Sequence, residues 1–231
     1  MQPDKSAEAI VQIVRHEIVV PPVGLDGILT LPMPSRAMVV FAHGGGSSRL
    51  SPRNTYVATA LSQAGLATLL LDLLTEEEAA DRANVFDIPL LARRLEMARD
   101  WAASDESTRY LPVGYFGAST GAAAALVAAS EARGNVFAVV SRGGRPDLAM
   151  GALARVRAAT LLIVGSLDSQ VLALNEAAYE ALVCEKALEV VPGATHLFEE
   201  PGTLDQVIAL TRNWFAGHLG PSRTKTDGKI P

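Results

Sequence analysis

Six short apolar runs recur along the chain: Ala37–Ala42 (A-M-V-V-F-A), Leu66–Leu71, Val113–Phe116, Val136–Val140, Thr160–Val164 and Leu188–Val191. Most are rich in Val, Ile, Leu or Phe and lack polar alternation, as strands covered on both faces do. Helical patterns lie between them. Ser51 and Pro52 supply an N-cap followed by proline at the first helical position. Ile88–Ala103 places Leu91, Leu95, Ala98 and Trp101 at helical spacing, and Ser119–Ala132 and Thr203–His218 read as two further helices. Parallel strands need crossover connections, so this alternation implies an α/β fold: a mostly parallel sheet of about eight strands with helices on both faces. Ahead of the alternation, Glu17–Leu31 reads as one hairpin about the turn P-P-V-G, broken by Leu31–Pro34.

The 231 residues suit a single domain over 1–219, with the polar stretch 220–231 expected to be a disordered tail. Net charge is −5 and no basic block occurs, which argues against nucleic acid and anionic membrane surfaces as partners. No uncharged apolar run approaches the ~20 residues that span a bilayer, and the first residues lack a signal-peptide core. A cytoplasmic location is the expectation. Cys184 is the one cysteine, which excludes an intrachain disulfide and a cysteine-rich zinc site. It reads as a small buried residue on a helix, and Glu76–Glu78 as a solvated acidic face before one. No cofactor or metal is called for.

Gly117, Ser119 and Gly121, in Y-F-G-A-S-T-G-A-A-A-A-L, spell G-x-S-x-G between a strand and a helix. A nucleophile elbow needs that setting, because the hydroxyl must stand clear of the sheet on a sharp, strained turn. A serine N-cap eased by two glycines explains the same letters equally well. A serine nucleophile also needs a base. In a parallel α/β sheet, catalytic groups sit on loops at the strands' carboxyl ends. Of His16, His43, His196 and His218, His196 in P-G-A-T-H-L-F is best placed, just past the last strand. His43 also ends a strand and is assigned a bracing role. Asp168, in V-G-S-L-D-S-Q, follows the preceding strand and can orient the imidazole. A helix cap is its ordinary alternative, and Asp147 is the fallback acid. The order Ser119, Asp168, His196 is the order of triads on this fold. In F-A-H-G-G-G-S-S-R, Gly45 or Gly46 suits one half of an oxyanion hole, with the Thr120 N–H as the other half. Arg142 and Arg145, in S-R-G-G-R-P-D, are candidates for a substrate carboxylate, or else surface arginines paired with acids.

With these residues placed, the chain resembles an α/β-hydrolase and, within that superfamily, the dienelactone hydrolase family. The resemblance runs from about Met38 to Leu219 and rests on F-A-H-G-G-G-S-S, G-Y-F-G-A-S-T-G, I-V-G-S-L-D and P-G-A-T-H-L-F. It implies Ser119 as nucleophile, Asp168 as acid, His196 as base, and Gly45 and Thr120 as oxyanion donors. Dienelactone hydrolase itself uses a cysteine where Ser119 stands, so the resemblance points to hydrolysis of a small ester or lactone more than to one substrate. Relatives often carry a helical lid after the sixth strand; the short interval from Val140 to Ala158 leaves room for no large lid domain. Relatives of the nearest type also occur joined to a phosphoribosyltransferase domain, which these residues do not contain. A ligand-binding protein without turnover, or an acyltransferase, thioesterase or peptidase with the same triad, are the alternative readings.

Overall fold

A computed structural model describes residues 12–132 and 135–220. One eight-stranded sheet holds β1 (Gln12–Val20), β2 (Leu25–Met33), β3 (Met38–Ala42), β4 (Ala67–Leu71), β5 (Val113–Ala118), β6 (Val136–Arg142), β7 (Ala159–Gly165) and β8 (Lys186–Val191), in the order β1-β2-β4-β3-β5-β6-β7-β8. The β1–β2 and β2–β4 pairs are antiparallel, and all pairs from β4 through β8 are parallel. The helices are α1 (Pro52–Gln63), α2 (Glu76–Ala80), α3 (Arg82–Val85), α4 (Ile88–Ser104), α5 (Thr120–Glu131), α6 (Met150–Leu153), α7 (Ser169–Ala181) and α8 (Thr203–His218).

Apolar burial explains this layering. Every residue of β3, β4, β5 and β7 is buried, which accounts for their unbroken apolar sequences, whereas edge strand β1 is mostly exposed and edge strand β8 mostly half-buried. One core cluster joins the sheet to α4, α5 and α7 through Leu91, Leu95, Leu126 and Ala178. The other joins it to α1 and α8 through Val57, Leu61, Val207 and Phe215. Ser51 caps α1 with Pro52 at its start, and β1 and β2 pair from Val20↔Leu25 outward, as the sequence implied. Between β6 and β7 lie only a 3₁₀ turn at Pro146–Ala149 and α6, so no large lid covers the strand ends.

Three local expectations are corrected. β2 continues through the expected break to Met33, which pairs with Gln12, because edge pairing with β1 tolerates proline there. Cys184 lies in the loop between α7 and β8, half-buried, its Sγ 3.6 Å from Thr160 Oγ1. Glu76–Glu78 form the first turn of α2, where Glu78 completes a capping box with Thr75 and pairs with Arg94 on α4. The expected tail beyond Gly220 lies outside the described residues. Among those residues no helix is long and apolar enough to cross a membrane.

Nine of the twelve α5 residues are buried, and its alanines allow close packing on both the sheet and α4. The tightest point is Gly121. A Cβ there would lie well inside contact distance of the Ala42 and His43 carbonyl oxygens, backbone atoms that cannot rotate away. Gly121→Ala is therefore expected to lower stability by about 1–3 kcal/mol. A reduced urea midpoint at unchanged slope would register that loss.

Candidate active site

Ser119 occupies the N-cap position of α5 with φ 52° and ψ −122°, and its side chain makes no capping hydrogen bond. A β-carbon residue with positive φ is strained. The turn is held by backbone bonds on both sides: the Ser119 N–H donates to the Arg142 carbonyl at 3.3 Å, and the Arg145 N–H donates to the Ser119 carbonyl at 3.1 Å. Gly117 is required beneath it, because a Cβ there would collide with the Ala122 backbone. The ordinary explanation of this serine, a cap, thus fails on geometry.

Asp168 repeats the pattern. It is the N-cap residue of α7, yet it too makes no side-chain cap bond. Its Oδ2 lies 2.7 Å from His196 Nδ1 instead. The two turns carrying them are joined: the Ser166 N–H donates to Val191 O, the Leu167 N–H donates to Ala194 O, and the Gly193 N–H donates to Ser166 Oγ. Beyond the imidazole, Thr195 donates N–H and O–H to Glu200 at 3.1 and 2.6 Å, closing the loop. Phe198, 2% exposed and at φ 57°, anchors the loop in the α1–α8 core. Gly143, in the Arg142–Arg145 segment that holds Ser119, touches His196: a Cβ there would lie 3.5 Å from His196 Nδ1. One loop thus contacts both residues. Among the described residues the Ser119 hydroxyl makes no hydrogen bond, so the structure joins Asp168 to His196 but not His196 to Ser119.

The other histidines are engaged elsewhere. His16 lies on edge strand β1, and His218 bonds Trp214 O and Glu185. His43 accepts the Leu73 N–H at Nε2 (3.3 Å) while its Nδ1 lies 3.0 Å from Gly44 O, which braces the glycine loop. Asp147 is paired with Arg145 through two bonds of 2.8 and 2.7 Å, so it is not available to His196.

Gly44 to Ser47 form a turn closed by the Ser47 N–H on Gly44 O, with Gly46 at φ 73°. The positive φ suits Gly46 to the turn. Gly44 abuts Ser119: a Cβ there would lie 3.0 Å from Ser119 Cβ. The Gly45 N–H donates to Thr120 Oγ1 at 2.9 Å, and the Thr120 N–H, at the head of α5, has no backbone acceptor among the described residues. Beside this loop lies a cavity of about 490 Å³, walled by Leu73, Leu74, Ala79, Val85 and Leu91 and edged by Arg49. Arg49 bonds Asp72 and lies 3.5 Å from Asp26. Sequence reasoning missed this wall, because α2 and α3 are too short to reveal an apolar stripe.

No family model matches the chain. Two curated proteins of Mycobacterium tuberculosis, provisionally named phosphoribosyl transferase, are 58% identical over 222 residues, 95% of this chain and 50% of each of theirs. The chain thus spans about half the length of the curated relatives it matches. A crystal structure of dienelactone hydrolase from Anabaena variabilis is 54% identical with a TM-score of 0.87, covering 91% of this chain and 99% of that one. Est1E from Butyrivibrio proteoclasticus shares the fold at 14% identity and a TM-score of 0.76, over 87% of this chain and 98% of its own.

Arg142 differs from its expected place. Arg145 is half-exposed and tied to Asp147, but Arg142 is buried with no acid partner among the described residues. Its Nη1 lies 3.5 Å from Leu197 O, its guanidinium carbon 5.9 Å from the Phe198 ring centroid, and its Nε has no hydrogen-bond partner. Burial, reinforced by the nearby Arg53 charge, pushes its pKa down to about 10. A depressed cation destabilises the fold while charged in both states, below pH ~10, and the penalty is released as pH rises from there toward the unfolded value. That penalty is on the order of 3 kcal/mol. Arg142→Met is expected to raise stability at pH 7 by about 1–3 kcal/mol, read as a higher urea midpoint, with the gain shrinking above pH 10.

Proposed function

The chain belongs to the dienelactone hydrolase family of α/β-hydrolases, and from that premise we propose that it is a serine hydrolase cleaving small carboxylic esters or lactones. The observation that carries this reading is that Ser119 and Asp168 both start helices without capping them, while the Asp168 carboxylate engages His196 Nδ1. Capping is what those residue types otherwise do best at such positions.

The chemistry follows from the roles. His196 Nε2 takes the Ser119 proton as Oγ bonds to the ester carbonyl carbon, and the carbonyl electron pair moves onto oxygen. Asp168 fixes the tautomer and stabilises the imidazolium. The oxyanion is held by the Thr120 N–H; the Gly45 N–H already donates to Thr120 Oγ1, and Gly46 serves the turn. Collapse expels the alcohol, protonated by His196, and leaves an acyl group on Ser119. Water, deprotonated by His196, then releases the acid. Transfer of the acyl group to another alcohol uses the same steps, and products formed with competing alcohols separate the two.

The cavity beside the glycine loop has the size of a small-molecule site and is mainly apolar. Arg49 at its edge is already neutralised by Asp72 and Asp26, which favours an uncharged substrate chain there. Arg145 is occupied by Asp147, and Arg142 supports the Leu197–Phe198 backbone behind the imidazole more than it meets a substrate carboxylate. The phosphoribosyl transferase name belongs to proteins about twice the matched length, and nothing in this site favours that reaction.

Ser119→Ala is expected to abolish both ester turnover and labelling by a fluorophosphonate. Labelling retained at another residue would defeat the assignment. Asp168→Asn should reduce kcat by about 10³- to 10⁴-fold on p-nitrophenyl acetate while leaving the fold intact. Ala79→Trp, an exposed position on the cavity wall, should lower kcat/KM for hexanoyl esters by about tenfold or more, an order-of-magnitude steric estimate, while sparing acetyl esters. A flat chain-length profile in that variant would place the substrate elsewhere.

A further inference from the structure

Thr120 enters the hydrolase reading through its backbone N–H, but its side chain is also positioned to act. The hydroxyl is buried, on a residue 4% exposed, in the crevice between the glycine loop and the elbow. A hydroxyl has one donor hydrogen and two acceptor lone pairs. Here a lone pair is taken by the Gly45 N–H at 2.9 Å, and the hydrogen has no acceptor among the described residues. Threonines at helical positions ordinarily donate to the carbonyl four residues earlier. Thr120 does not, because the chain before it is β5 and the carbonyl of Phe116 faces a sheet partner. The free hydrogen therefore sits beside the N–H of the same residue, next to Ser119.

We propose that the Thr120 hydroxyl is a second direct oxyanion donor beside the N–H of the same residue, accepting the Gly45 N–H and donating its own hydrogen to the oxygen of the tetrahedral intermediate. No proton is transferred in this step; one hydrogen bond forms as negative charge develops. A hydroxyl that accepts a hydrogen bond is polarised into a better donor. The Gly45 N–H then acts on the oxyanion through Thr120 Oγ1 rather than pointing at it alone. This gives the buried hydroxyl a function and explains why a polar residue stands at the first position of an otherwise alanine-rich helix. The role rests on the serine hydrolase reading.

The test compares Thr120→Val, which keeps the shape, with Thr120→Ser, which keeps the hydroxyl. Three quantities are read: kcat and KM for p-nitrophenyl acetate, Ki for a trifluoromethyl ketone that forms a hemiketal oxyanion on Ser119, and the rate of fluorophosphonate labelling. Thr120→Val should lose about 10- to 100-fold in kcat with little change in KM, and its Ki should rise in parallel. Thr120→Ser should stay within about threefold of the parent on both. A thermal melt of each variant identifies a fold defect, which would move KM and melting together without the parallel in Ki. Full activity in Thr120→Val, or more, would mean that the hydroxyl only plugs the hole, and the proposal falls. Equal losses in both variants would mean that any change of side chain at this position is harmful, hydroxyl kept or not, and would also overturn it. If the parent turns over no ester, the labelling rate still reads the hole, since the phosphoryl oxygen occupies the same place. A parent that neither turns over nor labels would sink the hydrolase reading itself.

Discussion

Everything at the site depends on how closely α5 approaches the sheet. Gly117 and Gly121 let the first turn of α5 lie against β5 and against the Ala42 and His43 carbonyls. That proximity forces the chain through Ser119 at φ 52°, a conformation that costs roughly 1–3 kcal/mol for a residue with a side chain. The two backbone bonds to the Arg142–Arg145 segment hold it there. The same segment meets His196 through Gly143, so the strain at Ser119 and the location of His196 are set by one piece of backbone.

Around this point the molecule gives up local stability more than once. Ser119 and Asp168 forgo caps of the kind that typically contribute about 1 kcal/mol each. Phe198 adopts a left-handed conformation behind the imidazole, and Arg142 is buried without a counter-ion among the described residues. Each is unfavourable alone, and all lie at the carboxyl ends of β5 to β8. Strain concentrated in this way belongs to sites under functional constraint, not to defects spread through a fold. The fully buried central strands and the two core clusters supply the compensating stability at a distance from the chemistry.

The legible part of the sequence was the part with short-range causes. The uninterrupted apolar runs marked β3 to β7, the P-P-V-G turn marked the first hairpin, and Ser51-Pro52 marked the start of α1. The Asp168–His196 contact was legible only as chain order, because its 28-residue separation is closed by the β7–β8 pairing. What stayed hidden depended on distant partners. Arginine reads as a surface residue, yet the strand register carries Arg142 beside Ala118 and into the core. The acid run 76–78 reads as a solvated face, and Glu76 and Glu77 are exposed as expected, but Glu78 finds Arg94 on α4. Cys184 sits in a short connection whose length, not its composition, ends α7 before it.

The glycine loop mechanically links the cavity to the turn that carries Ser119 and Thr120. Gly44, Gly45 and Gly46 wall the cavity on one side. On the other side Gly44 abuts Ser119 and Gly45 bonds Thr120. His43 fixes the loop's start to Leu73, and Val85 presses against Gly45, closely enough that a Cβ there would meet Val85 Cγ1 at 2.9 Å. A chain that displaces Val85 must therefore act on Gly45, and through it on the Thr120 hydroxyl. Close-packed interiors transmit such shifts instead of absorbing them. On the proposed hydrolase reading, the size of the group in the cavity therefore bears on the rate of the chemical step as well as on binding, and the loop's three glycines are the physical reason.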